Sequence, residues 1–153
     1  MRTHSERHAA SRTRMSLPPR WHRFVDHTGE VSLQVRAESL AGLLAEACRA
    51  LGLLLLGART AQASSAPRTI EIHSRDREAL LVDWLNEILF LAETELCVPL
   101  DVEVLDVGDT RVRASVRGVP VSEAPSLVKA ATLHGLSIQG DGEGLRAEVV
   151  LDV

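Results

Sequence analysis

Five consecutive residues, Asp26, His27, Thr28, Gly29 and Glu30, bring together two carboxylates, an imidazole, a hydroxyl and a glycine. A hairpin turn needs the glycine and at most one acid. The remaining groups are available for side-chain-to-backbone hydrogen bonds in a polar turn. They are equally available for hard-oxygen chemistry completed from elsewhere in the chain. Asp26 or Glu30, with Asp152 and a carbonyl or carboxylate at the end of the sequence, could hold Ca²⁺ or Mg²⁺, because such ions accept carboxylates and backbone oxygens in flexible geometry. Spacing alone does not bring these residues together.

Other chemistries have less support. There is no GxSxG, Walker A, HExxH or dinucleotide-binding pattern. His27, His73 and His134 lack the close ligand spacing of a zinc site. Cys48 and Cys97 form no CxxC and sit among apolar neighbours, which suits small buried hydrophobes in a reducing cytoplasm. Arg111, Arg113 and Arg117 on one strand are better suited to pairing with facing acids than to phosphate. Tyr is absent and there are two Phe and two Trp, too few to build the aromatic platforms of single-strand nucleic-acid binders.

Charge narrows the partner class. Residues 1–20 hold five arginines against Glu6, a balance of +4, so residues 21–153 carry −8 within a chain of −4 overall. An acidic body does not hold a phosphate backbone by itself; it suits a basic protein partner or bound cations. Direct nucleic-acid binding is therefore expected to be weak or absent. The longest apolar run, Leu51 to Leu56, is far short of the ~20 residues a membrane span needs, so no membrane partner is expected.

The elements that must position the candidate residues follow from periodicity. Residues 1–20 show no apolar period and are expected to be a disordered basic tail; an over-extended start site accounts for them as well as a transit peptide does. Residues 21–153 are expected to form one domain. Trp21 to Val25 is a short strand. Val31, Leu33 and Val35 alternate with polar residues as a half-buried strand, so the polar cluster sits at a hairpin. Ser39 caps a helix to about Leu56, with Gly57 as its C-cap. Residues 57–67 are small and polar and are expected to be a mobile or disordered loop. Thr69 to His73 is a strand, and Ser74 or Asp76 caps a second helix through about Ala92, with Trp84 on its apolar face. Two alternating runs around Val107-Gly108-Asp109 make another hairpin. Val128 to Ile138 is expected to be extended, and Leu145 to Val153 is the last strand. The order predicts an α+β fold with mixed or antiparallel sheets and two main helices.

Four blocks carry a resemblance. Trp21–Val31 (WHRFVDHTGEV), Leu81–Leu91 (LVDWLNEILFL), Val128–Leu136 (VKAATLHGL) and Ala147–Val153 (AEVVLDV) together resemble the archease family, in the family's order and across nearly all of the chain after residue 20. The resemblance implies an accessory protein, not an enzyme. Such a protein promotes guanylylation of the active-site histidine of an RNA-splicing ligase, and so its multiple turnover, in tRNA splicing or RNA repair. It also implies a divalent cation, Ca²⁺ first with Mg²⁺ or Mn²⁺ as substitutes. The positions that match the family's ligands are Glu30, Asp152 and Val153. Asp26, His27 and Thr28 belong to the same motif, and Lys129 and His134 fall in the third block.

The chain departs from the family pattern at three places. HTGE stands where the family has HTAD, so Glu30 keeps the charge on a side chain one methylene longer. Leu133 replaces an aromatic residue and with it a hydroxyl. The loop at 118–127 is shorter and lacks a histidine. Two other functions fit the same residues: a metal-dependent phosphoester hydrolase using His27 or His134 as base, and a small chaperone-like binding module with no metal role.

Overall fold

The computed structural model describes residues 20–153, so the tail expected for residues 1–20 lies, Arg20 apart, outside the described residues. The first hairpin forms as its alternation requires: β1 (Trp21–His27) pairs antiparallel with β2 (Glu30–Ala37). Thr28 and Gly29 make the turn, and Gly29 has φ 77°, the second turn position where a positive φ calls for glycine.

Helix α1 (Leu40–Leu56) starts at Ser39, whose side chain accepts from the Gly42 N–H, and stops at Gly57 in the left-handed region. Helix α2 (Arg77–Thr94) starts at Asp76, whose side chain accepts from the Ala79 N–H. Between them lies β3 (Arg68–His73). After α2 come β4 (Cys97–Gly108) and β5 (Arg111–Pro120), then β6 (Ala130–Thr132), β7 (Gln139–Gly140) and β8 (Leu145–Asp152).

The strands form two antiparallel sheets. One runs β1-β2-β8-β6, with β7 also on β8; the other runs β3-β5-β4. Both turn apolar faces to the helices. Leu33, Val35, Ala147, Val149 and Leu151 from the first sheet and Ile70, Val112, Ala114 and Val116 from the second join the leucines of α1 and α2 in one core. Trp84 of α2 is fully buried, and its Nε1–H donates to the Leu44 carbonyl of α1 at 2.8 Å. Gly52 lets α1 lie on β4, since a Cβ there would fall 2.4 Å from the Pro99 carbonyl oxygen. Pro99 lies at a register shift of β4, a place where a strand tolerates a missing donor. Cys48 is fully buried in the core, and that burial pushes its thiol well above the ordinary range, consistent with a packing role.

Three expectations are corrected. Residues 57–67 are anchored rather than loose: the Ser64 and Ser65 N–H groups donate to the Gly118 carbonyl, and Gly118 N–H donates to Ser65 Oγ. Val128 to Ile138 is extended only over Ala130–Thr132. It then turns, with Leu136 N–H donating to the Leu133 carbonyl and Gly135 at φ 65°. Of the strand arginines, Arg111 pairs with Asp106, whereas Arg117 donates to the Ser65 carbonyl.

Candidate metal and partner site

The register of the first sheet places the candidate residues. Glu30 of β2 lies directly opposite Asp152 of β8, His27 of β1 lies opposite Glu30, and Ala130 of β6 lies opposite Asp152 on its other side. Residues directly opposite share a face and have Cβ atoms about 4.5–5.5 Å apart. Leu33 and Val35 of β2 and Val149 and Leu151 of β8 are buried against the helices, so Glu30 and Asp152 occupy the opposite face. One row across the end of the sheet therefore reads His27, Glu30, Asp152, Ala130. Its centre is a pair of carboxylates, and the small Ala130 side chain leaves Asp152 uncovered on the far side.

Backbone contacts hold the row in place. The Lys129 N–H donates to the Asp152 carbonyl at 2.8 Å. This engages the main-chain oxygen and leaves the Asp152 carboxylate to face Glu30. Asn86, at a half-buried position on α2, clamps β6: its Nδ2 donates to the Ala131 carbonyl at 3.1 Å and its Oδ1 accepts from the Ala131 N–H at 2.9 Å. A helix amide thus serves as the missing neighbour of an edge strand. The sequence signal for Asn86 was faint, a single amide between Leu85 and Ile88. Asn86→Leu is expected to leave both Ala131 groups unpaired, at a cost of about 1–3 kcal/mol. Amide exchange at Ala131 and Lys129 should rise well above that of the α1 core; unchanged exchange there would contradict the clamp.

The other predicted residues are placed less uniformly. Asp26 pairs with Val31 and, one residue before His27, projects to the helix side of the sheet. The structure therefore does not bring it to Glu30. Thr28 is exposed in the turn. Lys129 is exposed beside Asp152. His134 is exposed in the turn after β6, where its N–H reaches Thr132 Oγ1 at 3.4 Å. Val153 is 37% exposed, next to Asp152.

Among the described residues, no group of three or more His, Cys, Asp and Glu side chains encloses a metal position. The donors that the register brings together are the carboxylates of Glu30 and Asp152. That all-oxygen set fits Ca²⁺ or Mg²⁺ as an open half-shell, with its other positions left to water or a partner. Leu127, Leu133 and Val153 are exposed apolar side chains that precede β6, follow β6 and follow β8 in the chain. No helix of the described residues is long and apolar enough to cross a membrane.

Residues 22–153 match the model of the Archease protein family (MTH1598/TM1083). The archease of Archaeoglobus fulgidus is 31% identical over 136 residues, covering 86% of this chain and 98% of its own. That of Methanosarcina barkeri is 26% identical over 147 residues, covering 91% and 100%. The solution structure of Methanobacterium thermoautotrophicum protein 1598 superposes with a TM-score of 0.69 at 27% identity, covering 86% of this chain and 98% of that one. It has the same α+β arrangement of two main helices and antiparallel sheets.

Proposed function

Because this chain belongs to the archease family, we propose that it is an accessory protein that activates an RNA-splicing ligase. In this reading it promotes guanylylation of the ligase and so its repeated turnover in tRNA splicing or RNA repair, and it acts in the cytoplasm. The observation that supports this most is the Glu30–Asp152 pair. Like charges directly opposite in a sheet are destabilising. A protein that keeps them at an exposed sheet end gains by presenting them to a cation or to a positively charged partner.

The residues divide the work. Glu30 and Asp152 would hold a divalent ion, with the Val153 oxygen as a further donor. The Lys129 N–H fixes the Asp152 main chain, and Asn86 fixes the strand that carries Lys129 to it. Leu127, Leu133 and Val153 are exposed apolar side chains that a protein partner could cover. The acidic body favours approach to a basic RNA-handling enzyme. When bound, the ion would supply charge neutralisation at a phosphate as it is attacked. Glu30 in place of the family's aspartate reaches one methylene further from β2, toward whatever faces the row.

The test is multiple-turnover RNA ligation by the cognate ligase at limiting enzyme. Added protein should raise product well beyond one equivalent per ligase. Product held at one equivalent with and without the protein would refute the activator function. Phosphoester turnover by the purified protein alone, abolished by Asp152→Ala, would instead support the hydrolase reading.

A further inference from the structure

The two edges of the first sheet differ. β6 is three residues long and is held by Asn86. β1 is seven residues long, without proline or register shift, and no strand pairs with its outer side among the described residues. A long unbroken edge is a template for another strand, which natural sheets commonly blunt with prolines, bulges or charges. Arg23 is drawn inward from this edge, donating through Nε and Nη2 to Gln34 Oε1 at 3.0 and 2.6 Å.

The turn fixes which backbone groups face outward. His27 and Glu30 flank a two-residue turn and pair directly, so they exchange backbone hydrogen bonds with each other. Alternation gives the same role to Val25, Arg23 and Trp21. The N–H and C=O groups of His22, Phe24 and Asp26 therefore point away from β2. The side chains of these three lie on the helix side of the sheet, since Phe24 pairs with the buried Leu33. On that side an apolar groove of about 460 Å³ is lined by His22, Phe24, Leu53 and Leu54.

The sequence of β1 is complementary to itself. Set antiparallel with Phe24 opposite Phe24, all seven residues overlap. His22 then faces Asp26, Arg23 faces Val25 and Trp21 faces His27, so no like charges meet. His22 Nδ1 is taken by Glu46 Oε2 at 2.6 Å, which leaves Nε2 to face Asp26 of the second copy.

We infer that β1 pairs with β1 of a second copy of this chain, giving a two-fold dimer with one continuous sheet. Every outward N–H and C=O of His22, Phe24 and Asp26 gains a partner. Two Phe24 rings meet across the strands beside the groove, and the His22–Asp26 contact forms twice. An unrelated strand would satisfy the same backbone groups; the match between side chains selects a second copy. The pairing keeps the helices of both copies on one side of the sheet and both carboxylate rows on the other. It stands apart from the activator reading.

The test is sedimentation of the full-length protein from micromolar to millimolar concentration, with amide exchange on the same samples. The mass should rise from that of one chain to that of two. Over the same range exchange at His22, Phe24 and Asp26 should slow, while Arg23 and Val25, bonded to β2, stay protected throughout. Asp26→Pro removes an outward donor and leaves the β1–β2 ladder intact. It should raise the dimer dissociation constant roughly tenfold or more, because two-fold symmetry loses the bond twice. Should that variant fail to fold, the wild-type amide pattern decides alone. A single-chain mass at every concentration overturns the inference, as does a dimer whose His22, Phe24 and Asp26 amides stay unprotected. Protection already complete in a dilute single chain assigns the edge to another segment of the same chain. Protection gained only on adding purified ligase assigns it to that protein. Either result overturns the second copy.

Discussion

Asp152→Asn is expected to weaken Ca²⁺ binding on the order of 10- to 100-fold while leaving the fold unchanged. The substitution keeps the size of the side chain and its exposed position and removes one of the two charges facing each other across β2 and β8. Calcium sites tune affinity through ligand charge, and losses of this scale accompany even outer-shell changes at metal sites. Stability should hold or rise slightly, because the mutation also removes a like-charge contact. Glu30→Gln should behave in the same way. Terbium luminescence or calorimetry measures the affinity, and thermal melting measures the fold. Equal affinity in wild type and both variants would remove the cation from the account. Lost affinity together with a lowered melting temperature would make the pair structural.

Trp84→Ala is expected to have the largest effect on stability. The indole is fully buried between α1 and α2, and its Nε1–H is satisfied by Leu44. Truncating a buried Trp to Ala costs about 3–5 kcal/mol through lost transfer energy and the cavity left behind. Domains of this kind have only about 5–15 kcal/mol in all. At about 2–4 °C per kcal/mol for a chain of this length, the melting temperature should fall by roughly 6–20 °C. Trp84→Phe should fall between the two. A melting temperature for Trp84→Ala within a few degrees of wild type would mean that the helices do not pack through this residue.

How much of this was legible beforehand depended on whether the determinant was local. Both helices could be bounded from the sequence because Ser39, Gly57 and Asp76 act on residues beside them. The first hairpin was legible because its apolar alternation and its glycine are contiguous. Residues 133–138 were not, since an apolar run with one glycine is compatible with a strand until Gly135 takes a positive φ. Nor was the anchoring of residues 57–67, which depends on Gly118 and Arg117 from a distant strand.

The site divides in the same way. The composition of residues 26–30 marked the cluster as unusual, but its alternation could not supply a second half. Glu30 meets Asp152 only through the β2–β8 register, between strands near the two ends of the sequence. Family resemblance had joined the two residues, and strand pairing gives that junction a physical form. The same register divides the opening cluster, leaving His27 beside Glu30 and sending Asp26 to the other face. Asn86 went unnoticed because it is a single polar residue whose meaning comes entirely from what the fold puts next to it.

In the proposed function the carboxylate row activates a ligase. The most direct measurement is the amount of guanylylated ligase formed in a fixed time, with Ca²⁺, Mg²⁺ or Mn²⁺ present, as wild-type, Glu30→Ala or Asp152→Ala protein is added in catalytic amounts. Stimulation is expected with wild type and little or none with either variant, with all three folded. Full stimulation by both variants would contradict it.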